Sequence, residues 1–264
     1  MEKKAVIFDV AGTLLNRAGA QKNLKTGEIT NTSSLGLIHE IGNSALFVLQ
    51  TNTENCVMRA NKALKFIDFI KEYQVPLYIS YSSSDFKPCD YLKSLEKNQI
   101  TMKEFQDVAI SLKRKFGDLE ICSGSAFIYN YETEEIEYTI AAGGKIFPKV
   151  SYVIQTLNDN GIKTFIASGD SSESVSEIGS IVNIPKKNIF DTVDTKGKEK
   201  IVNGLKTRGY KVMMVGNDYN DVLAFKSADV GVLTLEQGNF PNKDLLKTAD
   251  IVVDKIEDIL NIDF

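Results

Sequence analysis

From Val150 onward, short apolar runs alternate with amphipathic stretches, and this alternation constrains the fold more than any other feature of the chain. Val150–Leu157 has apolar residues at helical spacing and stops at Asn158-Asp159-Asn160-Gly161, where a glycine can close the last turn. Lys163–Ala167 reads as a strand that breaks at Ser168-Gly169-Asp170, Ser172–Val182 as a helix, and Asn188–Val193 as a short strand. Lys196–Arg208 reads as a helix stopped by Gly209, and Lys211–Val215 as a strand that breaks at Gly216-Asn217-Asp218. Tyr219–Ser227 is helical in pattern, and Asp229–Leu233 and Asp250–Val253 are two more short strands. Strands separated by helices pair in parallel through right-handed crossovers. The predicted fold class is α/β, a doubly wound parallel Rossmann-like sheet.

The N-terminal run Ala5–Val10 is continuously apolar except for Asp9, as expected of a strand buried on both faces. It ends at the turn signal Ala11-Gly12-Thr13. Residues 15–145 break the rhythm. Leu15–Ser44 is polar and rich in Gly, Asn and Thr, which predicts loop or short strands. Ala45–Gln50 and Val75–Ser80 read as strands, and Met58–Tyr73 and Phe105–Phe116 as helices. Ala126–Tyr131 and Ile136–Ile140 flank a polar stretch and read as a hairpin. The predicted organisation is a core of residues 1–14 and 146–264 with an α+β domain, residues 15–145, inserted after the first strand.

Open α/β sheets bind ligands beyond the carboxyl ends of their strands. Four sets of polar residues fall at such positions: Asp9 with Thr13, Ser168 with Gly169, Lys198 near the start of a helix, and Asn217-Asp218 with Asn220-Asp221. They supply a carboxylate nucleophile, hydroxyl donors, a cation and an acidic cluster. Phosphoryl transfer needs these parts: a carboxylate attacks phosphorus, donors and a cation hold the equatorial oxygens, and a hard cation on oxygen ligands neutralises charge. Lys196 and Lys200 offer the same charge close to Lys198. Ser168 also suits a helix N-terminus, and Asp218, Asn220 and Asp221 suit a capped acidic first turn.

The segment Val6-Ile7-Phe8-Asp9-Val10-Ala11-Gly12-Thr13 resembles the first motif of the haloacid-dehalogenase superfamily, an apolar strand followed by Asp-x-Asp-Gly-Thr. Gly161–Asp170 resembles the second motif, Lys198 falls at the third-motif lysine, and Gly216-Asn217-Asp218-Tyr219-Asn220-Asp221 resembles the acidic fourth motif. The second half is especially similar to the phosphorylation domain of P-type cation ATPases. The resemblance implies an HAD-like core with an inserted cap. Asp9 would form an aspartyl-phosphate, while Ser168 and Lys198 hold the phosphoryl group with Gly12, Thr13 and Gly169. Mg²⁺ would sit on Asp9, the Ala11 carbonyl, Asn217, Asp218 and Asp221.

Two residues depart from the pattern. Ala11 stands where the phosphatases of the superfamily carry a second Asp as general acid/base. Phosphonoacetaldehyde hydrolases read Asp-x-Ala-Gly-Thr, as here, and use a cap lysine as a Schiff base; Lys62, Lys65 and Lys71 are the lysines to weigh. Asn217 replaces the usual Asp, leaving Asp218 or Asp221 to supply the carboxylate.

These features predict a Mg²⁺-dependent phosphohydrolase or phosphotransferase acting on a small phosphorylated molecule. Two alternatives accompany it: a degenerate relative that binds a phospho-ligand or partner with little turnover, and a phosphonatase-like C–P hydrolase. The 31 basic and 35 acidic side chains leave a net charge of −4, a poor balance for general nucleic-acid binding. A Ser-His-Asp or Cys-His machine would have to use the lone histidine, His39, and no G-x-S-x-G pattern accompanies it. Cys56, Cys89 and Cys122 form no CxxC pair for zinc. No apolar run is long enough to span a membrane, so the expected location is the cytoplasm. The oligomeric state is not readable from these features.

Overall fold

The computed structural model describes residues 2–31, 34–83, 91–116, 121–238 and 243–264. The strands in chain order are β1 (Lys3–Phe8), β2 (Leu15–Asn23), β3 (Ile29–Thr30), β4 (Ser44–Leu49), β5 (Leu77–Ser82), β6 (Ile121–Asn130), β7 (Glu135–Ile146), β8 (Lys163–Ala167), β9 (Ile189–Phe190), β10 (Tyr210–Gly216), β11 (Val230–Thr234) and β12 (Ile251–Val253). The α-helices are α1 (Ser34–Ile41), α2 (Phe66–Glu72), α3 (Tyr91–Lys97), α4 (Met102–Phe116), α5 (Val150–Asp159), α6 (Ser172–Ile181), α7 (Thr195–Thr207), α8 (Val222–Ser227) and α9 (Lys243–Leu246). Cys89 lies outside the described residues.

The chain divides into two compact units, residues 1–17 with 145–264, and residues 18–144. The first holds a six-stranded sheet in the order β12-β11-β10-β1-β8-β9, every pair parallel. Ala5, Val6, Ile7 and Phe8 of β1 are fully buried, which is why this strand reads as an unbroken apolar run rather than an alternating one. The chain leaves β1 for β8 and β9 on one side, then crosses to β10, β11 and β12 on the other. Direction reverses at β1, and the crevice beyond the carboxyl ends of β1, β8 and β10 is therefore the topological switch point.

The second unit holds another six-stranded sheet, order β3-β2-β7-β6-β4-β5. Its β4–β5, β4–β6 and β6–β7 pairs are antiparallel. An aromatic cluster fills its core: Phe127 stacks on Phe47 with centroids 5.0 Å apart and meets Phe66 edge-on at 5.3 Å.

Two readings of this unit change. The stretch expected as loop or short strands opens with a strand longer than expected, the nine residues Leu15–Asn23; Ala18, Ala20, Gln21 and Lys22 are buried, and Lys22 is neutralised by Glu104 at 2.6 Å and Asp107 at 2.8 Å. The predicted helix Met58–Tyr73 is instead a single 3-10 turn, Val57–Arg59, and α2. The linking segment pairs with the chain before α4 through Phe66 N–H to the Ile100 carbonyl and Met102 N–H to the Leu64 carbonyl. The buried Gln106 side chain also donates to the Val57 and Ala60 carbonyls, groups that a continuous helix would have satisfied internally.

Phe127→Ala should therefore destabilise the protein by about 3–5 kcal/mol, read as an earlier midpoint in urea unfolding; a midpoint unchanged from wild type would contradict the packing described.

Candidate active site

Three site residues stand immediately beyond sheet strands. Asp9 follows β1, Ser168 follows β8, and Asn217 follows β10. Phe8 lies opposite Val215 on one side and Ile166 on the other, and the Asp9 N–H continues the ladder to the Val215 carbonyl at 2.9 Å. Adjacent strands run about 4.8 Å apart, so register alone brings these three positions together.

Helix α7 supplies the cation. Asp194 caps it by accepting from the Gly197 N–H at 2.7 Å, and Lys198 points inward from the first turn. Its Nζ lies 2.5 Å from Asp9 Oδ1 and 2.7 Å from Asp221 Oδ1. Lys198 and Asp221 are fully buried and Asp9 is 3% exposed, whereas Lys196 and Lys200 are exposed. The two flanking lysines therefore take no part in this arrangement.

Asp221 is held at both oxygens, because Oδ2 accepts from the Asn217 N–H at 3.0 Å and the Asp218 N–H at 3.2 Å. This requires Gly216: a β-carbon there would sit 2.3 Å from Asp221 Oδ2. Gly12 has φ +85°, and a β-carbon on it would lie 2.0 Å from Asn217 Nδ2. The Asn217 amide thus rests directly on the Ala11-Gly12 backbone, with Thr13 Oγ1 donating to Asn217 Oδ1 at 3.5 Å. The exposed Asp218 does something more local, accepting from the Tyr219 N–H at 2.7 Å as a cap.

Ser168 is buried, and its backbone is pinned by Phe190 and Val193. Its Oγ donates to Asp170 Oδ2 at 3.0 Å and accepts from the Asp170 N–H at 3.2 Å. Asp170 was legible only as a turn aspartate in Ser168-Gly169-Asp170, yet its charge reaches the site. Gly169, half-buried, joins the two. Asn220, grouped with the acidic cluster in sequence, is exposed.

Burial pushes the Asp9 carboxyl up from 3.8 to about 7; Lys198 opposes that shift, while the charges of Asp221 and Asp170 add to it. Burial would depress the Lys198 ammonium, but the charges and hydrogen bonds of Asp221 and Asp9 outweigh it and hold this group above its ordinary value. Lys198 is thus a fixed cation.

The oxygens the structure fixes here are the Asp9 carboxylate, in contact with Lys198, and Asn217 Oδ1, which accepts from Thr13 Oγ1. Among the described residues no group of three or more His, Cys, Asp or Glu side chains converges on one point. Such a set fits Mg²⁺, which keeps waters and shares substrate oxygens around one or two carboxylates. It does not fit a cation caged by protein alone. In the other unit, Lys62, Lys65 and Lys71 are exposed and Lys71 pairs with Glu96; none has the desolvated setting that activates a Schiff-base amine.

A family model described as a haloacid dehalogenase-like hydrolase matches residues 3–229. A soluble P-type ATPase-like phosphatase of Methanocaldococcus jannaschii is 32% identical over 261 residues, covering 98% of this chain and 93% of that protein. A probable copper-importing P-type ATPase A of Enterococcus hirae is 29% identical over 140 residues, 53% of this chain and 18% of that protein. Among solved structures, a phospho-aspartyl intermediate analogue of phosphoserine phosphatase aligns at 15% identity with a TM-score of 0.47, covering 99% of each chain. No helix among the described residues is long and apolar enough to cross a membrane.

A carboxyl raised on folding contributes stability below its unfolded value that is lost as pH climbs through its folded one. Asp9 therefore makes the metal-free protein less stable between pH 3.8 and about 7, and Asp9→Asn should flatten that slope in urea titrations with EDTA. Lys198→Met should act oppositely, costing about 3–5 kcal/mol by leaving two buried carboxylates unpaired. An unchanged pH slope in Asp9→Asn, or a Lys198→Met protein as stable as wild type, would contradict this electrostatic account.

Proposed function

The chain belongs to the haloacid dehalogenase-like hydrolase family, and from that premise we propose that it is a Mg²⁺-dependent phosphohydrolase or phosphotransferase acting on a small phosphorylated molecule through an aspartyl-phosphate on Asp9. The observation that carries the reading is the carboxylate of Asp9, buried at the carboxyl end of the central strand and fixed by Lys198 at 2.5 Å. A nucleophile at a switch point has its approach defined by the strands on either side, and Lys198 keeps it from turning away.

Each neighbouring residue has a task that follows from its placement. Lys198 places a permanent positive charge where the phosphoryl oxygens gather negative charge. Ser168 Oγ would turn its proton from Asp170 to those oxygens, and the Gly169 N–H would join it, whereas the Gly12 and Thr13 N–H groups are engaged by the Leu15 and Val10 carbonyls. Asp221 is a positioning residue, because both of its oxygens are spent on Lys198 and the 217–218 amides. Asp9, the Ala11 carbonyl and Asn217 would hold Mg²⁺, which when bound neutralises phosphoryl charge. Asn217 brings no charge to that set, which favours a cation held jointly with substrate.

The relative from M. jannaschii is called a phosphatase and covers nearly all of this chain, which supports hydrolysis over binding alone. All of the residues assigned to phosphoryl transfer belong to the parallel-sheet unit.

Turnover of para-nitrophenyl phosphate and of a panel of phosphorylated metabolites should depend on Mg²⁺ and vanish in Asp9→Asn. Gly216→Ala, which displaces Asp221, should lower the rate by at least about 10-fold, the equivalent of losing about 1.4 kcal/mol of transition-state stabilisation. Mg²⁺-dependent turnover that survives in Asp9→Asn would remove the reading.

A further inference from the structure

Forming and hydrolysing an aspartyl-phosphate requires a proton to be given to a leaving oxygen and another taken from water, and position 11, an alanine, can do neither. Among the described residues of the parallel-sheet unit, the other ionisable groups of the site are committed. Asp9 is the nucleophile. Lys198 is clamped between two carboxylates and holds its proton. Asp221 is fully buried with both oxygens occupied. Asp218 points its carboxylate at the Tyr219 amide on the exposed side.

Asp170 differs from all of these. It stands three residues beyond the end of β8, the strand beside β1. Its backbone is fixed at both ends, with N–H donated to Ser168 Oγ and C=O accepting from the Thr192 N–H at 3.1 Å. It is only half-buried, so water reaches it, and it follows β8, whose Ile166 lies opposite Phe8, the residue before Asp9. Its Oδ2 holds the proton of Ser168 Oγ at 3.0 Å, the hydroxyl at hand for a phosphoryl oxygen.

We infer that Asp170 is the catalytic acid and base of this site, doing from the end of β8 what the residue at position 11 cannot. The inference rests on the aspartyl-phosphate reading. In the first half-reaction an Asp9 oxygen bonds to phosphorus, the ester P–O bond breaks, and the leaving oxygen takes the proton of the Asp170 carboxyl. In the second, a water oxygen bonds to phosphorus, the acyl-phosphate P–O bond breaks to return the Asp9 carboxylate, and the proton shed by water restores the Asp170 carboxyl. The sum is ester plus water giving alcohol plus phosphate.

The test compares phenyl phosphate, whose leaving oxygen needs a proton, with 2,4-dinitrophenyl phosphate, whose leaving group departs without one, using the full-length Mg²⁺-loaded protein. Asp170→Asn should lower kcat/KM for phenyl phosphate by about 10²–10⁴-fold and leave that for the dinitrophenyl ester within about 10-fold. A burst of dinitrophenolate should then appear, because the phosphoenzyme forms but its hydrolysis has lost its base. Asp170→Glu should recover part of the phenyl phosphate rate. Ser168→Ala, which removes a donor but no proton carrier, should slow both esters by a similar factor. If Asp170→Asn slows both esters equally, or neither, while Asp9→Asn is inactive, the role assigned to Asp170 is wrong and the aspartyl-phosphate reading stands. Turnover retained in Asp9→Asn, or absent from the wild type on both esters, overturns that reading and the role of Asp170 with it.

Discussion

One ammonium shared by two buried carboxylates organises the parallel-sheet unit. Lys198 Nζ reaches Asp9 and Asp221 from a helix; Asp9 follows β1, and Asp221 closes the 3-10 turn Tyr219–Asp221 after the adjacent strand β10. Three charges with a net excess of one negative are costly to remove from water, and their mutual attraction repays that cost only when geometry and hydrogen bonding are complete. Much of the surrounding sequence completes them. Gly216 lets the Asp221 carboxylate fold beneath the backbone, two amides cap its second oxygen, and Asp194 starts the helix that delivers Lys198. The remaining imbalance falls on Asp9, the residue that a phosphoryl group and a cation would meet.

The parallel sheet was legible because its signals are local and periodic. Runs such as Lys163–Ala167 and Lys211–Val215 are too short and too rich in apolar residues to be surface helices, and each ends in a turn where site residues begin. Position in that order also singled out Lys198, but charge could not separate it from Lys196 and Lys200. Helical residues two apart project about 200° away from each other, so burial decides among them, and burial belongs to the fold. Asp170 was hidden for a related reason: an aspartate after Ser-Gly looks the same whether it closes a turn or faces a reaction.

The inserted unit was read less well, because its stability rests on long-range pairings that leave little periodic trace. After Leu15, the strand Leu15–Asn23 is buried through alanines, Gln21 and a neutralised lysine, so its composition carries little strand signal. The apolar stripe of Met58–Tyr73 is real, but it serves two separate segments, and Gln106 ties the first of them down from α4. Fold alone does not settle activity.

The central claim is that the Asp9 carboxylate accepts a phosphoryl group. The most direct measurement is acid quench of the Mg²⁺-loaded protein after mixing with ³²P-labelled acetyl phosphate, followed by borohydride reduction and peptide mapping of the modified residue. The account predicts a hydroxylamine-labile label whose reduced product maps to Asp9 and is absent from Asp9→Asn. Label at any other residue, or label that persists in Asp9→Asn, would contradict it.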